Sequence, residues 1–215
     1  MDAPRITAPR LEGLEQIAAD ELATTFSLEG RLLRSEEITG NHLREVSVVE
    51  SRLEHLTLTD ADLTGISLAE SEVHRLSAAH LKAPRSRWRE VAVTGSRIGA
   101  AELYEAEFSG VRVSGSKLDH LNLRAAQLSD VLFEDCRIGE LDLGGARVRR
   151  MRLIRCTVDT VALEGAELAD VDLRGAELRA VVGLAYLRGA LISASQLQEL
   201  APHLAAQAGI QVDFD

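Results

Sequence analysis

The chain has 215 residues, 46% of them hydrophobic but only 3% aromatic, and a formal net charge of −10. That charge disfavours binding to nucleic-acid backbones. No apolar run reaches the roughly 18 residues a membrane span needs, and the opening Met1-Asp2-Ala3-Pro4-Arg5 lacks the apolar stretch of a signal peptide, so a single domain in the cytoplasm is expected.

Residues 1–27 read as an N-terminal cap, with Leu11, Leu14, Ile17 and Leu22 available to cover the first turn of the repeat region. From Leu28 to Leu178 a large apolar residue recurs at every fifth position. Of 31 such positions 29 hold Leu, Ile, Val, Phe or Trp, the exceptions being Ala78 and Ala83. A step of five turns about 140° round an α-helix, and in a strand it swaps faces at each repeat. Neither element keeps the series on one side. The chain must therefore turn once per five residues and wrap a solenoid about an apolar axis.

A second inward series sits two residues earlier. From Ala106 it alternates small and large through Val111, Ser116, Leu121, Ala126, Val131, Cys136, Leu141, Ala146, Met151, Cys156 and Val161. Such alternation needs an even number of sides, and four sides of five residues fit best. Twenty-residue coils then stack Ala106, Ala126, Ala146 and Ala166 in one column and Val111, Val131, Met151 and Val171 in another, filling a narrow core without overpacking. Nine of the 16 glycines (30, 40, 65, 95, 110, 115, 145, 165 and 175) fall in the last slot of the five, where a tight turn tolerates a positive φ.

The register breaks twice. The large members of the second series are Val46, Leu56, Ile66 and Leu76 early on, then Val91, Val111 and Leu121, so the alternation has slipped by five. Removing five residues near Ala78–Arg85 restores it at every position but Ala101, which predicts a looped-out insertion over 78–85, around Pro84. A degenerate side without a loop is the alternative. Loops on rigid scaffolds often carry binding. The second break is at Val182–Gly189, after which Ala190-Leu191-Ile192 resumes one residue out of phase. Ser193 and Gln196 then form a capping-box pair, Leu197, Leu200 and Leu204 share a helical face, and Pro202 kinks that helix or starts a second. Ile210-Gln211-Val212-Asp213-Phe214 alternates like a short strand. Residues 183–215 thus read as a C-terminal cap over an open solenoid end.

Ala61-Asp62-Leu63-Thr64-Gly65, Ala166-Glu167-Leu168-Ala169-Asp170 and Ala176-Glu177-Leu178-Arg179-Ala180 resemble the motif of the pentapeptide-repeat family, Ala-(Asp/Asn)-Leu-X-X. The resemblance is specific for fold and weakly specific for function. It implies an all-β solenoid, a right-handed quadrilateral β-helix of pentapeptide repeats over 28–182, with a short C-terminal helical cap. The gyrase-interacting, quinolone-resistance-type members imply more: a square, acidic rod about as wide as DNA would mimic DNA in the saddle of DNA gyrase or another type II topoisomerase. Their C-terminal helices also imply a homodimer. On that reading Asp130, Glu134, Asp170 and Asp172 form an acidic partner-binding surface, and Leu197, Leu200 and Leu204 form a dimer contact or a cap. The other reading is a structural or adaptor solenoid with an unknown protein partner. A continuous acidic stripe favours mimicry and a checkerboard of charge favours the adaptor.

Catalytic signals are absent. There is no metal motif, Gly-rich phosphate loop or G-x-S-x-G elbow, and His42, His55, His74, His80, His120 and His203 are scattered, those in the solenoid on outward slots. No catalytic, cofactor-binding or metal residue is expected, and no enzyme. Cys136 and Cys156 fall in one column, one coil apart, and read as reduced thiols serving as small core residues. Arg147, Arg150 and Arg152 fall one coil from Glu167, Asp130 and Asp172, so the arginine cluster reads as an inter-coil charge ladder. Each exposed pair contributes roughly 0–1 kcal/mol.

Overall fold

The computed structural model describes residues 1–19, 21, 26–40 and 43–211. Leu22, His42 and the Val212–Phe214 part of the expected strand lie outside them. Among the described residues twenty parallel strands form one continuous coiled sheet. The register repeats every twenty residues: Leu28 pairs with Val48, Val48 with Leu68, Leu68 with Trp88, and the column continues through Phe108, Leu128 and Val148 to Leu168. The result is a β-solenoid of about eight turns with one C-terminal helix, Ala194–Gln207.

Both inward series fill the axis. Leu123, Leu143, Leu153 and Val158 are wholly or almost wholly buried, as are Ala106, Val111, Ala126 and Val131. Trp88 and Phe108 lie in neighbouring coils with ring centroids 5.4 Å apart, and the Trp88 indole N–H donates to the Ser86 hydroxyl at 2.8 Å. Serines in the small columns are satisfied by the coil itself. The Ser51 and Ser71 hydroxyls donate to the Val49 and Ala69 carbonyls at 2.6 Å, and Ser71 accepts the Ser51 amide at 3.1 Å. Cys136 and Cys156 are free, buried thiols that donate to the Glu134 and Ile154 carbonyls. The neighbouring Cys156 thiol, together with burial, pushes the Cys136 thiol well up.

From Gly30 to Arg75 every corner is left-handed; from His80 onward the corner at His80, Ala100, His120, Glu140 and Thr160 is not. Eight of the nine fifth-slot glycines have positive φ, Gly175 being the exception, and so do sixteen non-glycine residues, all in the same slot. These include Arg85, Glu105, Ala125 and Asp135, with φ between 53° and 58°. Such residues rarely adopt αL in isolation. Here each corner amide is held by the next coil: Arg85 N–H donates to Tyr104 O at 3.0 Å and Ala125 N–H to Gly144 O at 2.8 Å. The corner of the His80 column is rounded inside continuous strands such as Ser77–Lys82 and Arg97–Glu102.

The insertion expected over 78–85 does not exist. Ser77–Lys82 pairs in unbroken register with Arg97–Glu102, and Pro84 O and Arg85 N bond to Gly65 and Tyr104. The slipped alternation is absorbed by volume. Leu76 and Leu81 are successive large residues, and the two alanines of the main series, Ala78 and Ala83, sit beside them; all four are buried. Pro84 is tolerated because the amide of its slot takes no part in the inter-coil ladder on that face. At the equivalent positions the Thr64, Arg124 and Gly144 amides donate instead to the side chains of Asp62, Asn122 and Asp142, two residues earlier. This explains the Asp/Asn of the repeat motif: its side chain closes the turn onto a backbone donor.

The assignment of inside and outside is open to a direct check. Leu143→Ala should cost about 2–5 kcal/mol through cavity formation, whereas Arg149→Ala on the outside should change stability by less than about 0.5 kcal/mol; chemical denaturation of both variants measures the difference. A second expectation concerns Asp62, whose carboxylate accepts the Thr64 N–H at 3.0 Å and the Lys82 ammonium at 3.1 Å. Burial pushes its carboxyl up, but the Thr64 and Lys82 hydrogen bonds outweigh burial and hold it at about 2. A lowered folded-state pKa stabilises above the unfolded value near 4 and ceases to do so as pH falls through 2, a loss of about 2 kcal/mol. The stability gap between wild type and Asp62→Asn should therefore narrow between about pH 4 and pH 2. A gap independent of pH would assign the burial and pairing of Asp62 no net effect.

Candidate partner-binding surface

The sequence reading places four acids on a partner-binding face; the structure shows each of them engaged by cations. Asp130 is 9% exposed. It receives Nε and Nη2 of Arg150, both at 2.6 Å, and the Arg5 amide at 2.9 Å. The Arg150 hydrogen bonds hold its carboxyl below the usual carboxylate range. Asp172 receives Arg174 Nε and Nη2 at 2.9 Å and lies 3.3 Å from Arg152 Nε; Arg174 holds it low. Asp170 lies 3.8 Å from the Met1 amino group. Glu134, at the next corner, is bonded by Arg155 Nη2 at 2.7 Å and by Arg112, in that order of effect on its lowered pKa.

The first three acids share one edge of the rod, and the N-terminal segment runs along it. Residues 1–27 are therefore not one cap. Glu15–Ile17 pairs with Arg31–Leu33 and buries Ile17 in the core, but residues 1–5 lie far along the rod. Met1, Asp2, Ala3 and Pro4 enclose a cavity of about 130 Å³ with Met151, Arg152, Asp172 and Arg174. Pro4, Ile6, Pro9, Leu11 and Leu14 are half-buried. The recurrence of proline and apolar residues in this stretch is the only sign in the sequence of an extended strap, and Leu11 and Leu14 alone do not reveal it.

At the other end the chain closes as its sequence suggests. Gly183 and Gly189, both with positive φ, flank a 3₁₀ turn at Leu184–Tyr186. Ala190–Leu191 then pairs with Val171 and Asp172, one residue out of the twenty-residue step. Ser193 and Gln196 form the capping box. Pro202 starts no second helix; one helix, Ala194–Gln207, contains it. Gln196 does more than cap. Its buried Nε2 donates to Leu173 O at 2.8 Å and Ala176 O at 2.7 Å, satisfying carbonyls that the open coil edge leaves unpaired. Of the three leucines, Leu200 is buried, Leu204 is half-buried and Leu197 is 50% exposed.

The arginines follow the register. Arg34 pairs with Glu54, Arg52 with Glu72, Arg147 with Glu167, Arg152 with Asp172, Arg155 with Asp135 and Arg179 with Asp159, each across one coil. Much of the outer surface is thus patterned by opposite charges across coils, with two like-charge columns, Glu50–Glu70–Glu90 on a corner and Arg97–Lys117–Arg137 on a face. Among the described residues no group of three or more His, Cys, Asp or Glu is placed to hold a metal ion, and no helix is long and apolar enough to cross a membrane.

This architecture defines the class: a four-sided parallel β-solenoid of pentapeptide repeats. No family model matches the chain, and no curated protein does. Among solved structures it is similar to HetL, a pentapeptide repeat protein involved in heterocyst differentiation regulation from the cyanobacterium Nostoc sp. strain PCC 7120. The identity is 21% over 78% of this chain and 89% of that one, with a TM-score of 0.33. It is also similar to full-length QnrB1, a plasmid-mediated fluoroquinolone resistance protein, with 16% identity over 83% of this chain and 98% of that one and a TM-score of 0.27. At such values the class rests on the chain's own register and not on the alignments.

Removing the Asp130 carboxylate takes both side-chain hydrogen bonds from Arg150 and leaves it only the more distant Asp2 and Asp170. Asp130→Ala should therefore lower stability and release the N-terminal segment, whose Arg5 amide loses its acceptor. Urea denaturation reads the first effect, and faster tryptic cleavage after Arg5 reads the second.

Proposed function

We propose that the protein is a non-enzymatic, protein-binding solenoid, an adaptor rod that docks a partner on a flat outer face. The observation carrying this reading is the checkerboard of cross-coil ion pairs. Fixed, opposite charges make a patterned surface that discriminates between partners and not a uniform polyanion. The four acids of the mimicry reading are neutralised by Arg112, Arg150, Arg152, Arg155 and Arg174 or sit beside the N-terminal segment. Site-specific photo-crosslinking in cells tests the adaptor reading, with the photoreactive residue at Thr94, Tyr104, Lys117 or Arg149, one on each side. A discrete protein adduct from one side is expected, and no adduct from any side removes it.

The net charge of −10 favours a second reading, in which the rod binds DNA gyrase or another type II topoisomerase as a DNA mimic and modulates quinolone sensitivity. A supercoiling assay with and without a quinolone decides it: wild-type protein at micromolar concentration that leaves supercoiling and quinolone-stabilised cleavage untouched ends that reading. A cytoplasmic location and a homodimer formed through the C-terminal helix belong to the same proposal. The exposed Leu197 supports the dimer, which sedimentation of wild type against Leu197→Glu would test; a monomeric wild type refutes it.

A further inference from the structure

We propose that the column Arg97, Lys117, Arg137 docks an acidic α-helix of a partner protein laid along the rod axis. The proposal rests on the adaptor reading and names the surface and partner chemistry it would use. The three residues are in direct register on successive coils, and all three are exposed. Like charges directly opposite one another destabilise a sheet. On the flat faces among the described residues no other column stacks like charges on consecutive coils, the neighbour one coil away being neutral or opposite, as in Arg52–Glu72 or Arg152–Asp172; the one other like-charge stack, Glu50, Glu70 and Glu90, lies on a corner. Lys117 has one partner, Asp119 at 3.0 Å on its own strand. Arg97 and Arg137 have no side-chain partner among the described residues.

The fold does not need cations there. The same column holds Thr57 and Ser77 before Arg97 and Thr157 and Glu177 after Arg137. A feature that costs the solenoid stability and gives it nothing structural points outward.

The floor beside the column is low. Ala79, Gly99 and Gly139 occupy the adjacent outward slot, interrupted on the middle coil by Asp119, which pairs with Lys117; a Cβ on Gly99 or Gly139 would stand 2.5 or 2.3 Å from the carbonyl of the coil beneath. Ser77, Ala79, Gly99, Arg97, Lys117 and Asp119 line an open depression of about 360 Å³. Glycines in a strand interior admit a close approach by another backbone. The depression is open and its charges run in single file, so a rod-like ligand fits it better than a small molecule, which takes an enclosed pocket.

Spacing selects the kind of rod. Three cations at the inter-strand distance span about 9.6 Å. Carboxylates at i, i+4 and i+7 of a helix lie on one face and span about 10.5 Å. Same-face side chains of an extended strand lie about 6.6 Å apart and fall out of step. A long polyanion would bring many charges against the net −10 of the rod, whereas one acidic helix brings only a few.

The test uses the full chain and a fluorescein-labelled, alanine-based, amidated peptide with Glu at i, i+4, i+7 and i+11. A second peptide has the same composition with its Glu residues spread round the helix. Fluorescence anisotropy should show the first binding at low salt, and the second, the R97E/R137E variant and added salt each weakening the complex by at least about tenfold. R147E/R149E, two sides away, should bind as wild type. The melting temperature of R97T/K117T/R137T should equal or exceed that of wild type, since the like-charge stack is relieved. The proposal is overturned if the two peptides bind equally, if the first does not bind, if R147E/R149E loses as much as R97E/R137E, if duplex DNA binds more tightly than the peptide, or if R97T/K117T/R137T melts lower. No peptide binding together with a cellular crosslink from another side defeats this column alone; no crosslink from any side defeats the adaptor reading.

Discussion

Each side of the solenoid ends by turning the chain through roughly a right angle while aiming the corner amide at the coil above. That one requirement orders the rest. At all four corners of the first coils, and at most corners thereafter, it is met by a left-handed residue, and sixteen of these residues have a side chain. A left-handed Glu, Arg or Asp costs of order 1 kcal/mol or more locally. The cost persists because moving one corner would break the hydrogen bonds of the coils on both sides and shift two inward side chains. Local strain and long-range pairing are therefore one constraint seen at two scales.

The same register dictates the outside. Once residue i stands over residue i−20, side-chain chemistry acts across the coils and hardly at all along the chain. The opposite charges of Arg150 and Asp130, or of Arg155 and Asp135, are neighbours only because of it. The small-residue columns obey the same rule in the core, where Ser51 accepts from Arg31 and Ser71 accepts from Ser51. Buried polar groups are satisfied by the neighbouring coil and not by water.

The fold was legible because its signal is repeated: every fifth position reports the same environment, so Ala78, Ala83 and Pro84 did not obscure it. They misled only in detail, since a compensating change of volume and an inserted loop leave the same trace in an alternation of large and small residues. The C-terminal break and the Ser193–Gln196 cap were legible from local chemistry, as helix starts usually are. The reach of Gln196 to the open edge was not, because it depends on where the last coil ends. The acidic surface was misjudged for a related reason. The twenty-residue spacing already sets Arg150 against Asp130 and Arg152 against Asp172, but the contacts of Asp130 with Arg5, of Asp172 with Arg174 and of Asp170 with Met1 lie outside that step. The strap of residues 1–14 bonds to Asp130 across 125 positions, a distance at which no periodicity speaks.

That strap also acts as a ruler. Glu15 N–H bonds Gly30 O, and Arg5 N–H bonds Asp130, both on the same edge of the rod and five twenty-residue coils apart. Five coils rise about 24 Å, and the ten residues from Arg5 to Glu15 reach at most about 33–36 Å. Duplicating one coil between Gly30 and Asp130 would stretch the requirement to about 29 Å, and two coils to about 34 Å, the limit of an extended chain. A solenoid can in general grow by repeating its unit without penalty. This one is bounded: beyond two added coils Arg5 must let go of Asp130, so rod length and N-terminal attachment have to change together.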